Sequence, residues 1–562
     1  MGVLLNQGVA MDVHTPSNPH LSRRDLLKWS GVGLAAVATA PAVWSPARAQ
    51  SPKRGGTLSV RLWDPPHFDP HLTISYKTHI AYSFTHSRLL RHKAGPGIAP
   101  GTFPIEGDLA ESWTQPSETT YIFKLRKGVR WQNKAPVNGR ELTADDVVYS
   151  VERFRTVSGN ANAYMLSSVD KVEAPDKYTV KFTLKEPYVW FLDMLANSHA
   201  VAIIAKECVE KFGDLKRPES VVGSGPWMLD SYRPNVGYTL VRNPGYFVTG
   251  LPYIDRIEAT VDEDNASRMA AFIAGKYDLG WEYQGVIPRV DWVQIKDTLK
   301  QKRPRLQTVE YPNAVMNHIS MRTDKAPFND VRVRRAMSLA VNRQGILDAV
   351  AEGAGVMNPA VPAALKDWSL PFSQMGEGAR WFKYDLAQAK RLMAEAGYAK
   401  GFPATMDFTT YGSPVLVDTC QLVLKDLKDI GIDVKLNQKE YGAYISTSFY
   451  GKFDSMCLGP QTGFQEPDNF LFGQYYPNEL KNQSHINDPV VADMLIRQRR
   501  TADVAKRREI IHDIQRHLAQ QQYYVQLASL IQTAVWEGAV KNYGPNVSYD
   551  YGGRLVSAWL DR

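Results

Sequence analysis

The sequence predicts an α/β protein built as two lobes, and three observations carry that expectation. Residues 418–430 read as a helix, Gly431 stops it, and Ile432-Asp433-Val434-Lys435-Leu436 resumes as a strand. Residues 109–153 read as a hairpin followed by a capped helix. Two extended stretches, 310–321 and 523–535, are placed to cross from one lobe to the other and back. Two lobes joined by two crossings form a hinge-closing design.

The bulk composition agrees. The chain has 562 residues, 44% hydrophobic and 22% charged, which is globular and long enough for more than one core. Its formal net charge is +8, with both signs mixed along the chain and no block of like charges. A nucleic-acid partner is therefore not indicated. The three cysteines, Cys208, Cys420 and Cys457, lack metal-ligand or redox spacing, and their odd number cannot close a disulfide set. They read as buried thiols behaving as small hydrophobes.

The amino terminus reads as an address. Ser22-Arg23-Arg24-Asp25-Leu26-Leu27-Lys28 resembles the twin-arginine export motif, and a weakly apolar run follows over residues 31–43. The run is too short, and Pro41 too disruptive, for a membrane span. Ala47-Arg48-Ala49 supplies a small-x-small cleavage site, so residues 1–49 are expected to leave at Ala49-Gln50. Either Met1 or Met11 is the start. Gly31-Val32-Gly33-Leu34-Ala35-Ala36 imitates a dinucleotide fingerprint, but no strand precedes it, and it is discarded.

The remaining elements follow in order. Gly55-Gly56-Thr57-Leu58-Ser59-Val60 opens a first strand. Tyr121-Ile122-Phe123-Lys124-Leu125 alternates as a half-buried strand, and Lys127-Gly128 turns the chain. Thr143 and Asp146 make an acidic capping box for a helix whose Val147, Val151 and Phe154 face inward. Tyr178, Val180, Phe182 and Leu184 form another strand, residues 189–195 a buried helix, and residues 207–213 a helix ended by glycine. Gly223-Ser224-Gly225-Pro226 reads as a turn using glycines at positive φ. Asp330 and Asp385 are placed to cap two later helices, and Gly397 to end the second. Residues 488–518 carry two more.

Several of these blocks go beyond secondary structure. Glu111-Ser112-Trp113, Phe123-Lys124-Leu125-Arg126, Gly128-Val129 with Trp131, and Thr143-Ala144-Asp145-Asp146-Val147 form one group. Gly223 to Trp227, Arg242-Asn243-Pro244, Pro327-Phe328-Asn329-Asp330-Val331-Arg332, Asn342-Arg343 and Ala394-Glu395-Ala396-Gly397-Tyr398 form others. Together they resemble the family 5 solute-binding proteins of ABC importers, the group that carries oligopeptides, dipeptides, nickel chelates, opines and some sugars. The resemblance implies a large two-lobed periplasmic-binding-protein fold with an extra subdomain. Its expected segments are 50–84, 218–312 and 524–562 for the first lobe, 85–217 for the inserted subdomain, and 313–523 for the second lobe. It also implies a periplasmic monomer, with a small-molecule solute, an inner-membrane permease with its ATPases, and the twin-arginine translocase as partners.

The search for chemistry is mostly negative. There is no Gly-x-Ser-x-Gly, His-Glu-x-x-His, P-loop or paired-cysteine motif, so an exported enzyme is the least supported class and no cofactor is expected. Five of the twelve histidines, His67, His71, His79, His86 and His92, crowd one region. His67-x-Asp69-x-His71 has metal-capable ligands, although Pro65, Pro66 and Pro70 oppose a regular strand there. His79, His86 and His92 have spacing compatible with one helix face. A metal or metal-chelate site and ordinary polar histidines both remain open. Among the aromatics, Trp63, Trp281, Tyr283, Tyr411 and Phe464 fall at strand ends or loops, where they serve either core or cleft.

One stretch departs from the resemblance. Peptide-binding members carry Leu-Gly-Trp-x-Ala-Asp-Tyr-x-Asp-Pro-x-Asn-Phe, whose first aspartate pairs with the ligand α-amino group. Here residues 458–470 read LGPQTGFQEPDNF, which puts Pro460 at the tryptophan and Gly463 at the aspartate. A buried ammonium needs a paired charge, and glycine has none. Either Glu466 or Asp468 substitutes, or the ligand is not recognised as a peptide amino end. The expected ligand-binding set is Trp63, Trp281, Tyr283, Tyr411, Gln461, Gly463, Phe464 and Asp468, with His67 and His71 as metal candidates.

Overall fold

Strand Thr57–Leu62 places Leu58, Val60 and Leu62 in the core, as its alternation requires, and becomes a central strand of an eight-stranded sheet. It pairs in parallel with Arg256–Val261, which continues antiparallel to Gly237–Arg242 and then to Trp227–Arg233. On its other side stand Leu279–Gly280, Ser529–Trp536 and Gln307–Pro312, with Gly355–Val356 also pairing to Ser529–Trp536. The structure is a computed structural model and describes residues 51–280, 289–357, 360–461 and 465–562. Residues 1–50, where the export signal is expected, and Trp281, Tyr283, Gly463 and Phe464 lie outside the described residues. Among the described residues no helix is long and apolar enough to cross a membrane.

A second sheet of five strands runs Ile432–Gln438, Phe402–Phe408, Met456–Gln461, Met316–Met321 and Tyr524–Gln526. Its αβ unit is the one the sequence announces, although the helix begins earlier, at Pro414–Lys428. Ser413 caps it by accepting from the Leu416 N–H, and Pro414 fits the first turn because its missing N–H would have no helical partner. A separate four-stranded antiparallel sheet, Ala110–Ser117, Thr120–Leu125, Thr179–Leu184 and Val169–Asp176, falls within the segment expected as the inserted region. Helix Ala144–Thr156 covers it with Val147, Val151 and Phe154, and Asp146 accepts the Thr143 N–H at 2.9 Å.

Two of the passages between the larger sheets run side by side. Gln307–Pro312 lies in the first sheet and Met316–Met321 in the second. Tyr524–Gln526 pairs with Met316–Met321, so the return passage falls after Gln526 rather than at Tyr523. The Leu527 N–H donates to Asn317 O at 2.9 Å and the Asn313 N–H to Leu530 O at 3.1 Å. Buried Arg343 braces this hinge, donating to Gln526 O at 2.7 Å and to both Ser338 oxygens.

The glycines of the Gly223 turn have a different purpose from the one the sequence suggests. Neither has a positive φ. A methyl group on Gly223 would lie 1.9 Å from Thr85 O, and one on Gly225 would lie 2.6 Å from the Thr85 carbonyl carbon. Close backbone approach is therefore the reason for glycine. The Gly225 N–H donates to Thr85 O at 2.9 Å, and Asn243 holds Gly225 O with its side chain. The three cysteines are free and buried, and burial pushes their thiols up, to about 11 for Cys208 and about 12 for Cys420 and Cys457.

Candidate functional site

The lobes meet along a polar seam. Helix Tyr76–Ser83 is buried on every side, which fits its lack of an amphipathic pattern. Just before it, Ser75 Oγ lies 2.8 Å from Tyr441 OH of the second lobe. Lys77 stands 4.3 Å above the Tyr441 ring and 3.4 Å from Glu263. Tyr76, Tyr411, Tyr441 and Tyr549 surround a narrow gap closed on one side by Pro460. Tyr76 stacks on Tyr549 at 5.6 Å, and Tyr411 meets Tyr441 edge-on at 5.3 Å. Trp63 does not reach this gap in its own right; it sits 1% exposed with its ring edge-on to Tyr76 at 5.6 Å.

A second junction joins the inserted region to helices Pro467–Tyr475 and Pro489–Arg500. Asp468 is fully buried and accepts from Arg499 Nε at 3.0 Å and Nη2 at 2.7 Å. Tyr188 OH adds a third bond at 3.2 Å, and Gln498 a fourth. Glu466 caps helix Pro467–Tyr475 through the Asp468 N–H at 2.6 Å and ion-pairs with Arg507. Both acids that stand near the missing aspartate are thus engaged by arginines. The Asp468 carboxylate is thus engaged in joining this junction. Gln461 is buried, donates to Phe470 O at 3.2 Å, and leaves its Oε1 without a hydrogen bond to the described residues.

The crowded histidines are not arranged as the metal reading requires. Asp69 is clasped by Arg153 at 3.1 and 2.5 Å. His71 bonds Ala202 O at 3.0 Å, and burial lowers its pKa to about 3, which keeps it neutral. His67 Nδ1 accepts the Asp69 N–H at 3.1 Å. The helix that begins at Tyr76 ends at Ser83, so His79, His86 and His92 do not share a helix face. His86 stacks on Tyr82 at 3.7 Å and His92 lies in strand Leu90–His92. Among the described residues no group of three or more His, Cys, Asp or Glu is placed to hold a metal ion. His79 instead packs 4.3 Å from His199, which meets Tyr549 at 5.1 Å, so these rings continue the aromatic wall of the gap.

Sequence reasoning missed a second opening. A cavity of about 500 Å³ is lined by Phe103, Trp190, Asp193, Tyr311, Trp368 and Gln465 among others. Trp190 and Trp368 meet edge-on at 5.5 Å, and the Arg507 guanidinium lies 4.0 and 4.7 Å from their centroids. Burial pushes the Asp193 carboxyl up to about 6, with Arg507 only partly opposing it. The lining residues come from five distant parts of the chain, and no local motif links them.

The comparisons fit this geometry. The family described as bacterial extracellular solute-binding proteins, family 5, matches residues 104–482. The chain belongs to that family. A relative, the dipeptide-binding protein of Escherichia coli (strain K12), is 29% identical over 481 residues, covering 80% of this chain and 85% of its own. The heme-binding protein A of Haemophilus influenzae is 29% identical over 434 residues, covering 72% and 74%. Among solved structures, the Helicobacter pylori periplasmic binding protein DppA in complex with the peptide STSA superposes with a TM-score of 0.78 at 25% identity. The match covers 91% of this chain and 99% of that one. MoaA from A.tumefacien R10 in complex with mannopinic acid superposes at 0.74 with 25% identity, covering 91% and 100%. The two sheets and their paired passages are therefore the two lobes of this fold.

Proposed function

We propose that this chain is the periplasmic substrate-binding component of an ABC importer, capturing a small organic solute between its lobes and delivering it to the membrane permease. The observation that carries this reading is the pair of adjacent passages between two sheets, with a polar, aromatic seam facing inward on both sides. Closure about such a hinge couples solute binding to a shape that a permease can read. The family consists of substrate-binding proteins, and binding rather than catalysis is the role we assign. The solute class is a peptide, an opine or a similar polar molecule, the classes seen with related proteins.

We also infer the twin-arginine route, cleavage at Ala49-Gln50, a monomer, and the lobe segments given above, with the return passage moved to follow Gln526. Of the expected contact residues, Tyr411 and Gln461 stay in the proposed set, because Tyr411 borders the gap and Gln461 keeps a buried acceptor unpaired. Trp281, Tyr283, Gly463 and Phe464 stay in it on sequence grounds. A metal-chelate cargo of the nickel type is the second reading, and the engagement of Asp69, His67 and His71 with protein groups weighs against a direct protein–metal site there.

A thermal-shift screen of peptides, opines, sugars and nickel chelates tests the proposal. At least one solute is expected to raise Tm, and small-angle scattering should show closure with the same solute. No stabilisation by any member of the panel would count against import of these classes.

A further inference from the structure

We propose that the cavity beside Asp193 is a second compartment of the cleft that receives a cationic group, an ammonium or guanidinium, carried by the solute. The proposal rests on the solute-binding reading above and names the chemistry of one end of the cargo.

Three observations converge. The first is space: about 500 Å³ lies within the range of small-molecule pockets and exceeds what a guanidinium with its alkyl stem requires. The second is a carboxylate whose charge Arg507 offsets only in part. Asp193 lines the cavity from helix Phe191–Ala196 and forms no ion pair within 4 Å among the described residues. Glu466, on the same wall, is the acid that is ion-paired with Arg507. The third is an unmet amide. Gln465 is only 5% exposed, lines the same cavity, and has neither Nε2 nor Oε1 hydrogen-bonded to a described residue.

The walls select among ligands. Phe103, Trp190, Tyr311 and Trp368 present aromatic surface around the carboxylate. An apolar group would desolvate Asp193 without pairing it, which is costly for a charge. An anion would be repelled. A cation pairs with the carboxylate and gains from the ring faces, and desolvation strengthens both contacts. The two indoles already hold one guanidinium, that of Arg507, which shows the kind of group they accept. Gln465 Oε1 would take one further N–H.

The test uses the purified protein and two isosteric probes, n-butylguanidinium and the neutral n-butylurea, with binding followed by tryptophan fluorescence and ligand-observed NMR. The wild type is expected to bind n-butylguanidinium about tenfold more tightly than n-butylurea at about pH 7.5. Asp193→Asn should abolish that preference and leave n-butylurea binding unchanged. Gln465→Leu should weaken both probes while keeping the preference. Protonation of Asp193 should erode the preference at about pH 5 in the wild type alone. Equal binding of the two probes by the wild type, or an unchanged preference in Asp193→Asn, would overturn the proposal. The solute panel run on wild type and Asp193→Asn separates the two readings. A solute that stabilises both equally, with no probe preference, sinks the compartment and keeps the import role. A probe preference lost in Asp193→Asn, with no stabilising solute, keeps the compartment and sinks the import role.

Discussion

Arg499 and Asp468 form a buried, doubly bonded ion pair at 2.7 and 3.0 Å between two helices of the second lobe, and Tyr188 of the inserted region completes it at 3.2 Å. Removing one member strands the other charge away from water. Asp468→Ala or Arg499→Ala is expected to cost about 3–5 kcal/mol, read from urea unfolding. The Asp468→Leu/Arg499→Met double variant should recover much of that loss, because no charge is left unpaired. Equal damage from the single and double variants would mean that packing, not pairing, is what these residues supply.

Gly225 and Gly128 separate two uses of glycine. A side chain at Gly225 meets the Thr85 backbone at 2.6 Å, whereas Gly128 has φ +74° and nothing within 4 Å. Gly225→Ala should lower stability by about 3 kcal/mol or more, since neither backbone can yield. Gly128→Ala should cost about 1 kcal/mol from the left-handed conformation alone. Urea midpoints of the two variants, measured side by side, check the order.

The contrast between these glycines marks what the sequence makes legible. Local signals read correctly: Asp330 accepts from the Arg332 N–H, Asp385 from the Gln388 N–H, and Gly397 ends its helix with φ +90°. Each depends on residues within a turn of one another. Whether Gly225 needs a positive φ or bare space depends on Thr85, far along the chain, and no spacing rule carries that. The same holds for the seam. Asp468 lies in a stretch where an acid is wanted, yet Arg499 and Tyr188 claim it across 31 and 280 positions. The histidine region misleads for a related reason, because crowding in sequence says nothing about the direction of imidazoles once the helix stops at Ser83.

Six histidines are buried and held neutral: His71 and His92 near pKa 3, His79 and His318 near 4, and His86 and His199 well below the usual value, all chiefly through burial. In the unfolded chain each titrates near about 6.5. Between about pH 6.5 and 4 the unfolded state therefore binds protons that the folded state refuses, so stability falls as the pH is lowered through that window. Urea midpoints measured from about pH 7.5 to 4.5 should decline steeply below about pH 6.5. His79→Gln or His318→Gln should flatten the slope. A midpoint insensitive to pH over this range would contradict the burial of neutral imidazoles.

Tyr441 links the lobes through Ser75 at 2.8 Å. Tyr441→Phe removes that bond and keeps the ring under Lys77. Loss of a net contact of about 1 kcal/mol should weaken the most stabilising solute of the panel about fivefold. Stability of the unliganded protein should barely change. Unaltered affinity would place the closed seam of the solute-bound protein away from Tyr441.

The three native thiols, sealed in the interior with their pKa values at about 11 and 12, give the protein a silent background for chemical labelling. Maleimide reagents react with thiolate at accessible sites, and the folded chain offers them none of its own. A dye pair attached to cysteines introduced on the outer faces of the two lobes would report hinge motion one molecule at a time, with no native residue to remove first.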